Sequence, residues 1–577
     1  MRIVSKGISH QPKEIEFIFN GTALSGVEGD TIASALIAND EYSCRQTTDA
    51  PSVTGSERGV FCGMGVCNEC VVEVNGEPGV LSCMTSLKSD MKVNLQPAKP
   101  LVEDSQDIQE LPEQAISADV LIIGAGPAGL AAASSLADAG AKVVLVDERS
   151  SLGGQYFKQP IEARIENVNA LDEQYRSGLS LINDVKNRNI TILTGVKIWG
   201  AFSTDQILGH SQTQRYHFSA RHVILSTGAY ERPLPMPGWT LPGVMTSGAA
   251  QTLMRRYQVA PGSRVFISGN GPLNLQVAAE LLRAGVRVVA VVEAARVTSP
   301  LNAFRGLWLA ATSPKLALRG LGYILALKRA KVPFITGATA VRFDGKDRVE
   351  RVVVQEITKD GRADAHTTQQ FDIDSACLGF GFLSSNEIAR ALGCRHEIDP
   401  RNGQLVATRA ANGRSSLSNV WILGDSAQIL GAPVAQNSGA MAAAHILAEL
   451  GLVASIKTKA ARHRRLLTFQ KYLWRIYATP PLLTQFADDD TIICRCLSIA
   501  KGSISDALTQ DIQSAGSIKR ATRAGMGKCQ GRYCSPVIQT MAAQSTGDQI
   551  DEFSGFVSQA PFKPTAIGVM AAPNNPE

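Results

Sequence analysis

The stretch ADVLIIGAGPAGLAAASSLADAGAKVVLVDE, residues 118–148, decides how the middle of the chain folds. An apolar run, Val120–Ile123, meets the pattern G-x-G-x-x-G at Gly124, Gly126 and Gly129. A helix pattern of small residues follows, and a second apolar run ends at Asp147. The order is strand, tight turn, helix, strand. Gly124 permits the turn, Gly126 lets a pyrophosphate approach the helix N-terminus, and Gly129 permits close helix packing. Pro127 and Ala128, between the last two glycines, are read with them as cofactor-binding residues. Asp147, about 20 positions on, and Glu148 beside it are placed to bind a ribose hydroxyl. The unit predicts a dinucleotide-binding α/β domain.

Working outward, the chain supplies LGGQ with Gly153, Gly154 and Gln155, STGA with Thr227 and Gly228, and WILGDSAQ with Gly424 and Asp425. Together with the glycine turn these resemble the FAD contacts of the two-dinucleotide-domain flavoprotein reductases, over about residues 117–455. The resemblance implies FAD, with Asp425 on the ribityl chain and the stretch Val434–Gly439, including Gln436, near the flavin ring. The alternative, that Asp425 merely caps a turn, is weaker than the coincidence of these motifs.

A second glycine turn, VFISGNGPLNLQVAAELL at 265–282, keeps Gly269 and Gly271 but has Asn274 in place of the third glycine. Helix packing or cofactor approach should suffer there. Glu293 still ends the following strand, so a nicotinamide-type fold is expected, with NAD doubtful; another nucleotide or a purely structural remnant stays open. The disulfide reductases of this family use a redox-active cysteine pair. Here Cys44, Cys377 and Cys394 form no C-x-x-C and are read as small buried apolar residues.

The eight other cysteines fall near the two ends. FCGMGVCNECVVEVNGEPGVLSCMT, residues 61–85, sets Cys62, Cys67, Cys70 and Cys83 in the spacing C-x4-C-x2-C-x12-C. Three thiols on one glycine-rich loop and a fourth beyond a strand and turn suit a 2Fe-2S cluster, whereas structural zinc favours two short pairs. The segment resembles the plant-type ferredoxin domain of sarcosine oxidase alpha chains, over about residues 14–95. Near the other end, TIICRCLS supplies Cys494 and Cys496, and RAGMGKCQGRYC supplies Cys529 and Cys534. These halves resemble the bacterioferritin-associated ferredoxin-like domain, which implies a second 2Fe-2S cluster between two helix starts; zinc is the alternative. Arg495, Lys528 and Arg532 are placed to favour an anionic thiolate cluster.

The chain of 577 residues, 44% apolar and 19% charged with 51 glycines, fits several nucleotide-binding α/β domains rather than disorder. A net charge of +5 without a basic tract argues little for nucleic acid, and no nucleic-acid partner is expected. Met1–Phe19 has no signal-peptide core, and the apolar stretch Leu307–Leu327 is broken by Lys315 and Arg319. A cytoplasmic protein with at most peripheral membrane association is expected, and eleven cysteines there point to metal rather than disulfides. The expected order is multidomain α/β. A ferredoxin-like β-grasp domain (1–100) and a linker (101–116), the acid-rich Glu103–Ala115, precede the FAD domain (117–242 and 379–455), which is split by an NAD-like domain (243–378). A basic connecting helix around Ala460–Tyr477 within 456–490, a small helical cluster domain (491–545) and an extended tail (546–577) complete it.

With TGAYERPLPMPGWTLPGVMTSGAAQ at 227–251, that order resembles the alpha subunits of heteromeric amino-acid dehydrogenases of the opine oxidase, hydroxyproline dehydrogenase and hydrogen cyanide synthase type. The resemblance implies an FAD-containing beta subunit of the D-amino-acid-oxidase type that does the amine chemistry, with room for a further small subunit. This chain would relay electrons toward a respiratory acceptor. The alternative is an NADH-dependent reductase that feeds a separate oxygenase or reductase through its clusters. No residue is assigned as a catalytic acid or base.

Overall fold

The computed structural model describes residues 1–9, 11–48, 56–100, 111–400, 403–452, 460–510 and 512–570. The N-terminal sheet runs in the order Thr22–Val27, Glu14–Phe19, Lys92–Leu95, Val71–Val74, Glu77–Leu81. Alternation sets the faces of strand Glu14–Phe19: Phe17 and Phe19 are buried while Glu14, Glu16 and Ile18 face solvent. The helix Ile32–Ala38 lies over this sheet, started by a reciprocal Thr31–Ser34 capping box. Within NGEPG only Asn75 and Gly76 turn, both with positive φ, and Glu77 already begins the next strand.

In the first dinucleotide unit, the parallel strands Ile190–Thr194, Val143–Asp147, Glu113–Ile123 and Arg215–Leu225 lie side by side, and Val420–Ile422 pairs with the last of them. The runs Val120–Ile123 and Val143–Val146 are buried throughout, because helices cover one face of the sheet while Ile198, Ile207, Ala389, Ala407 and Phe562 from strands, a short helix and the tail cover the other. Strand Glu113–Ile123 begins inside the stretch expected to be linker. Its first residues pair one for one with Arg215–Phe218, and the Arg215 amide donates to Pro112 O. Asp104, Asp107 and Glu110 lie outside the described residues.

The second unit is a parallel sheet in the order Val244–Thr246, Ser375–Gly379, Arg264–Gly269, Arg287–Glu293, Phe334–Thr336. A three-stranded antiparallel sheet, Ala338–Asp344, Arg351–Ile357 and Ala363–Asp372, adjoins it. The expected connecting helix is Ala460–Ile476. A short hairpin, Ile492–Cys494 with Ile499–Ala500, and the helices Lys501–Thr509, Ala515–Thr522 and Ser535–Thr546 form the last cluster domain.

The tail, expected to be extended, has only turns and bends over 547–566, yet it packs on the body. Phe556 and Phe562 are buried, the former against Gly525 and Gly531, whose missing side chains leave room for its ring. The tail then crosses the flavin-type domain, where Phe562 N donates to Trp199 O, and its described part includes the short helix Ile567–Met570.

Candidate cofactor sites and the contact between them

The first glycine turn can be tested by asking what a methyl group would meet at each position. At Gly124 it would lie 2.3 Å from Ser226 O, and at Gly129 2.0 Å from Gly124 O. At Gly126 it would meet nothing within 4 Å. The first and third glycines are therefore packed against backbone, and the second faces open space where a phosphate can approach the N-terminus of helix Pro127–Asp138. Gly154 packs on Gly126 Cα, bringing LGGQ to the same turn, and Gly228 is open like Gly126. Gly424 sits against Ala128 and Ala435, so the segment carrying Asp425 and the helix Ala432–Glu449 carrying Gln436 close on the same helix start.

The acids are held by main-chain amides. Asp147 accepts from Ala125 N at 2.7 Å and Arg149 N at 2.8 Å, and burial raises its pKa. Asp425 Oδ1 accepts from Leu430 N and Gly431 N, each at 3.0 Å, so it braces the entry to helix Ala432–Glu449, and burial raises it too. Thr227 Oγ1 donates to Ser385 O at 2.6 Å. Pro127, Ala128, Asp147, Gly154, Thr227, Gly228 and Asp425 thus gather at the carboxyl ends of parallel strands, where such folds take a dinucleotide.

Three groups at this crevice, Lys563 half-buried and Lys158 and Glu231 buried, carried no motif. Lys563 of the tail pairs with Glu148, and burial pulls its pKa down to about 8. Lys158 donates to Gln155 Oε1 at 2.7 Å and also to Thr252 Oγ1; burial carries it well below the usual lysine range. Glu231 accepts from Gly248 N at 2.6 Å, and burial pushes it up to about 7. Glu231 and Lys158 lie three residues after Gly228 and Gln155, which is the one trace of them in the sequence.

The second glycine turn corrects the expectation about Asn274. Helix Pro272–Arg283 forms and packs, because Asn274 is buried and bonded at both ends of its amide: Nδ2 donates to Gly379 O at 2.9 Å, and Oδ1 accepts from Ser247 Oγ at 2.8 Å. The outer side of the turn, by contrast, is covered by another helix. The Trp474 indole of helix Ala460–Ile476 lies over Gly271, 3.6 Å from where a methyl would stand, and Asn270 Nδ2 donates to Tyr477 O at 3.0 Å. Glu293 binds Gly271 N and Ala295 N, and burial raises it to about 8.

Cys62, Cys67, Cys70 and Cys83 are all buried. Burial alone would raise the Cys62 thiol, yet bonds from Cys67 and from the amides of Met64 and Val66 bring it below the usual thiol range. The loop thus aims N–H groups at sulfur. Cys494 and Cys496 lie 3.8 Å apart through their sulfurs, Cys496 and Cys529 3.6 Å apart, and Cys534 precedes helix Ser535–Thr546 beside Cys494. The leftover Cys44, Cys377 and Cys394 are buried separately, as expected.

The two cysteine groups meet. Glu69, between Cys67 and Cys70, is fully buried and faces Arg495, between Cys494 and Cys496, at 3.5 Å. Arg45 lies 3.1 Å and Arg58 3.8 Å from the same carboxylate, and the three guanidiniums hold Glu69 below the usual range against its burial. Phe61, next to Cys62, packs edge-on against Tyr533, next to Cys534, with centroids 5.6 Å apart, while the Arg495 guanidinium lies 3.9 Å over the Phe61 ring. Arg495 therefore serves the first cysteine loop rather than its own. Lys528 is exposed and reaches toward Gly79, and Arg532 binds Glu387 at 2.8 Å and donates to Cys529 O at 3.0 Å. Even Arg45 and Arg495 alone exceed the one carboxylate between them. Buried positive charge of that kind needs anions nearby, and thiolate-bound 2Fe-2S groups, each net negative, fit on either side.

Comparison with known proteins agrees with this layout. Residues 118–442 match the pyridine nucleotide-disulphide oxidoreductase model, residues 12–98 a 2Fe-2S iron-sulfur cluster binding domain, and residues 492–544 a BFD-like [2Fe-2S] binding domain. The HcnB component of the hydrogen cyanide synthase of Pseudomonas protegens is 31% identical over 444 residues, 75% of this chain and 93% of that one. The chain belongs to the family of HcnB and the A-type opine oxidase subunits. The A-type opine oxidase subunit of Agrobacterium tumefaciens is 29% identical over 472 residues, 78% of this chain and 91% of that one. The fold of this family member is shared with the solved L-proline dehydrogenase from P. horikoshii, with a TM-score of 0.69, 22% identity, and coverage of 99% of this chain and 100% of that one. It is an FAD-type oxidoreductase core flanked by two 2Fe-2S binding domains.

Proposed function

We propose that the chain is the electron-transfer subunit of a heteromeric amino-acid or imino-acid dehydrogenase. FAD is held at the Gly124–Gly129 turn, and the clusters are held by Cys62, Cys67, Cys70 and Cys83 and by Cys494, Cys496, Cys529 and Cys534. Bound there, a flavin takes electrons in pairs and each cluster passes them singly. The observation that carries the reading is the contact of the two cysteine loops through Glu69–Arg495 and Phe61–Tyr533. The protein keeps the two clusters side by side, excludes water between them with Trp239, Phe61 and Tyr533, and balances their charge with buried arginines.

The partner is an FAD-containing subunit of the D-amino-acid-oxidase type that orients an amine for hydride loss, and the complex works in the cytoplasm, where thiols stay reduced. Names of relatives that are subunits of opine oxidase and hydrogen cyanide synthase support this reading. The test is dye reduction by proline, hydroxyproline, glycine and opines, with the FAD-loaded chain alone and with its co-purifying partner. Turnover only with the partner is expected. Substrate-dependent turnover by the chain alone would make it the catalytic subunit instead.

A further inference from the structure

Among the described residues no helix is long and apolar enough to cross a membrane. Yet the hairpin of helices Pro300–Thr312 and Pro314–Arg329 turns large apolar side chains outward. On the first helix, Asn302, Arg305 and Leu309 face the protein, while Phe304, Leu307 and Trp308 face solvent. On the second, Leu327 is buried and Tyr323 packs beside it, while Leu318, Leu321 and Leu325 line the opposite side. Leu307 and Leu318 are 68% and 70% exposed. This is helical spacing of apolar residues on the wrong side for a core.

Helix Ala460–Ile476 extends the same face. Trp308 stacks on Tyr472 with centroids 6.0 Å apart, and Arg305 Nη1 donates to Arg475 O at 3.0 Å. The three helices carry one, four and five Lys or Arg in chain order, and not one Asp or Glu. Lys315 and Arg319 are bound to Glu173 of helix Glu173–Lys186, which anchors the hairpin to the body. Lys328, Arg329, Arg462, Arg464, Arg465 and Lys471 are exposed.

We propose that this face docks the protein, without spanning, on an anionic lipid surface. Apolar side chains at helical spacing would enter the headgroup boundary while Lys and Arg around them meet lipid phosphates. Charge complementarity selects this occupant over a protein partner. The three helices hold no Asp or Glu to balance their cations, so a protein occupant would have to be correspondingly acidic, whereas an anionic lipid surface matches them directly. Neither the substrate nor the redox partner proposed for the chain bears on this docking.

The test is flotation of the cofactor-loaded full chain with vesicles of phosphatidylcholine alone or mixed with phosphatidylglycerol. Binding to the mixed vesicles, weakened by salt and far weaker on phosphatidylcholine, is expected. Leu307→Ser with Leu318→Ser should abolish it, while flavin absorbance and thermal midpoint stay as in the parent, since both side chains are already exposed. Arg464→Gln with Arg465→Gln should lower the partition about fivefold per charge. Failure of the parent to float, flotation unchanged in the leucine variant, or loss of the redox partner by that variant with flotation intact would each overturn the proposal.

Discussion

Gly126 and Gly129 are three positions apart and obey opposite constraints. A methyl at Gly129 would collide with Gly124 O, and overpacking of that kind costs about 1–3 kcal/mol. A methyl at Gly126 meets nothing in the protein. Gly129→Ala should therefore lower the thermal midpoint of the cofactor-free chain. Gly126→Ala should leave it in place and weaken flavin retention, read by absorbance after gel filtration. Both residues were legible from spacing alone, as were the cysteines, because turn and ligand chemistry fix residue type at fixed offsets. Lys563, Lys158 and Glu231 were not, since a charge placed by tertiary packing leaves no local pattern. Glu293 gives a pH prediction at the same scale. Its folded pKa, about 8, lies above its unfolded value, so between the two the folded state holds a proton that the unfolded state has lost. Stability should fall as pH rises through that window, and Glu293→Gln should flatten the fall in urea melts taken between about pH 6 and pH 8.5.

At the scale of elements, helix Ala460–Ile476 was recognisable as a basic amphipathic segment, but its place over Gly271 was not, because sequence periodicity says which side is apolar and not what it covers. Asn274 shows the same limit. The missing glycine was visible, while the Ser247 and Gly379 groups that satisfy its amide come from distant segments. With Trp474 over the turn, NADH should produce no bleaching of the bound flavin under anaerobic conditions. Rapid bleaching would instead favour the reductase alternative. The tail teaches the converse: its Pro-rich composition read as extended, yet Phe556 fills the space left by Gly525 and Gly531.

At the scale of the whole molecule, the order of domains was legible because each has its own motif, whereas the contact between the two cysteine loops was not. Each set of four cysteines lies in its own domain, so losing one cluster should spare the other, although the domains touch. Glu69 and Arg495 tie them together. Glu69→Gln leaves Arg45 and Arg495 buried without their carboxylate and should destabilise the folded chain by about 3 kcal/mol or more in denaturant melts.

The most direct test of the central claim, a flavoprotein that wires two adjoining clusters, is metal analysis joined to electron paramagnetic resonance of the dithionite-reduced chain. About four irons per FAD and two 2Fe-2S signals that broaden each other are predicted, with Cys70→Ser or Cys529→Ser each leaving one narrower signal and the flavin in place. About two irons per chain, stoichiometric zinc, or two signals unaffected by each other's removal would contradict it.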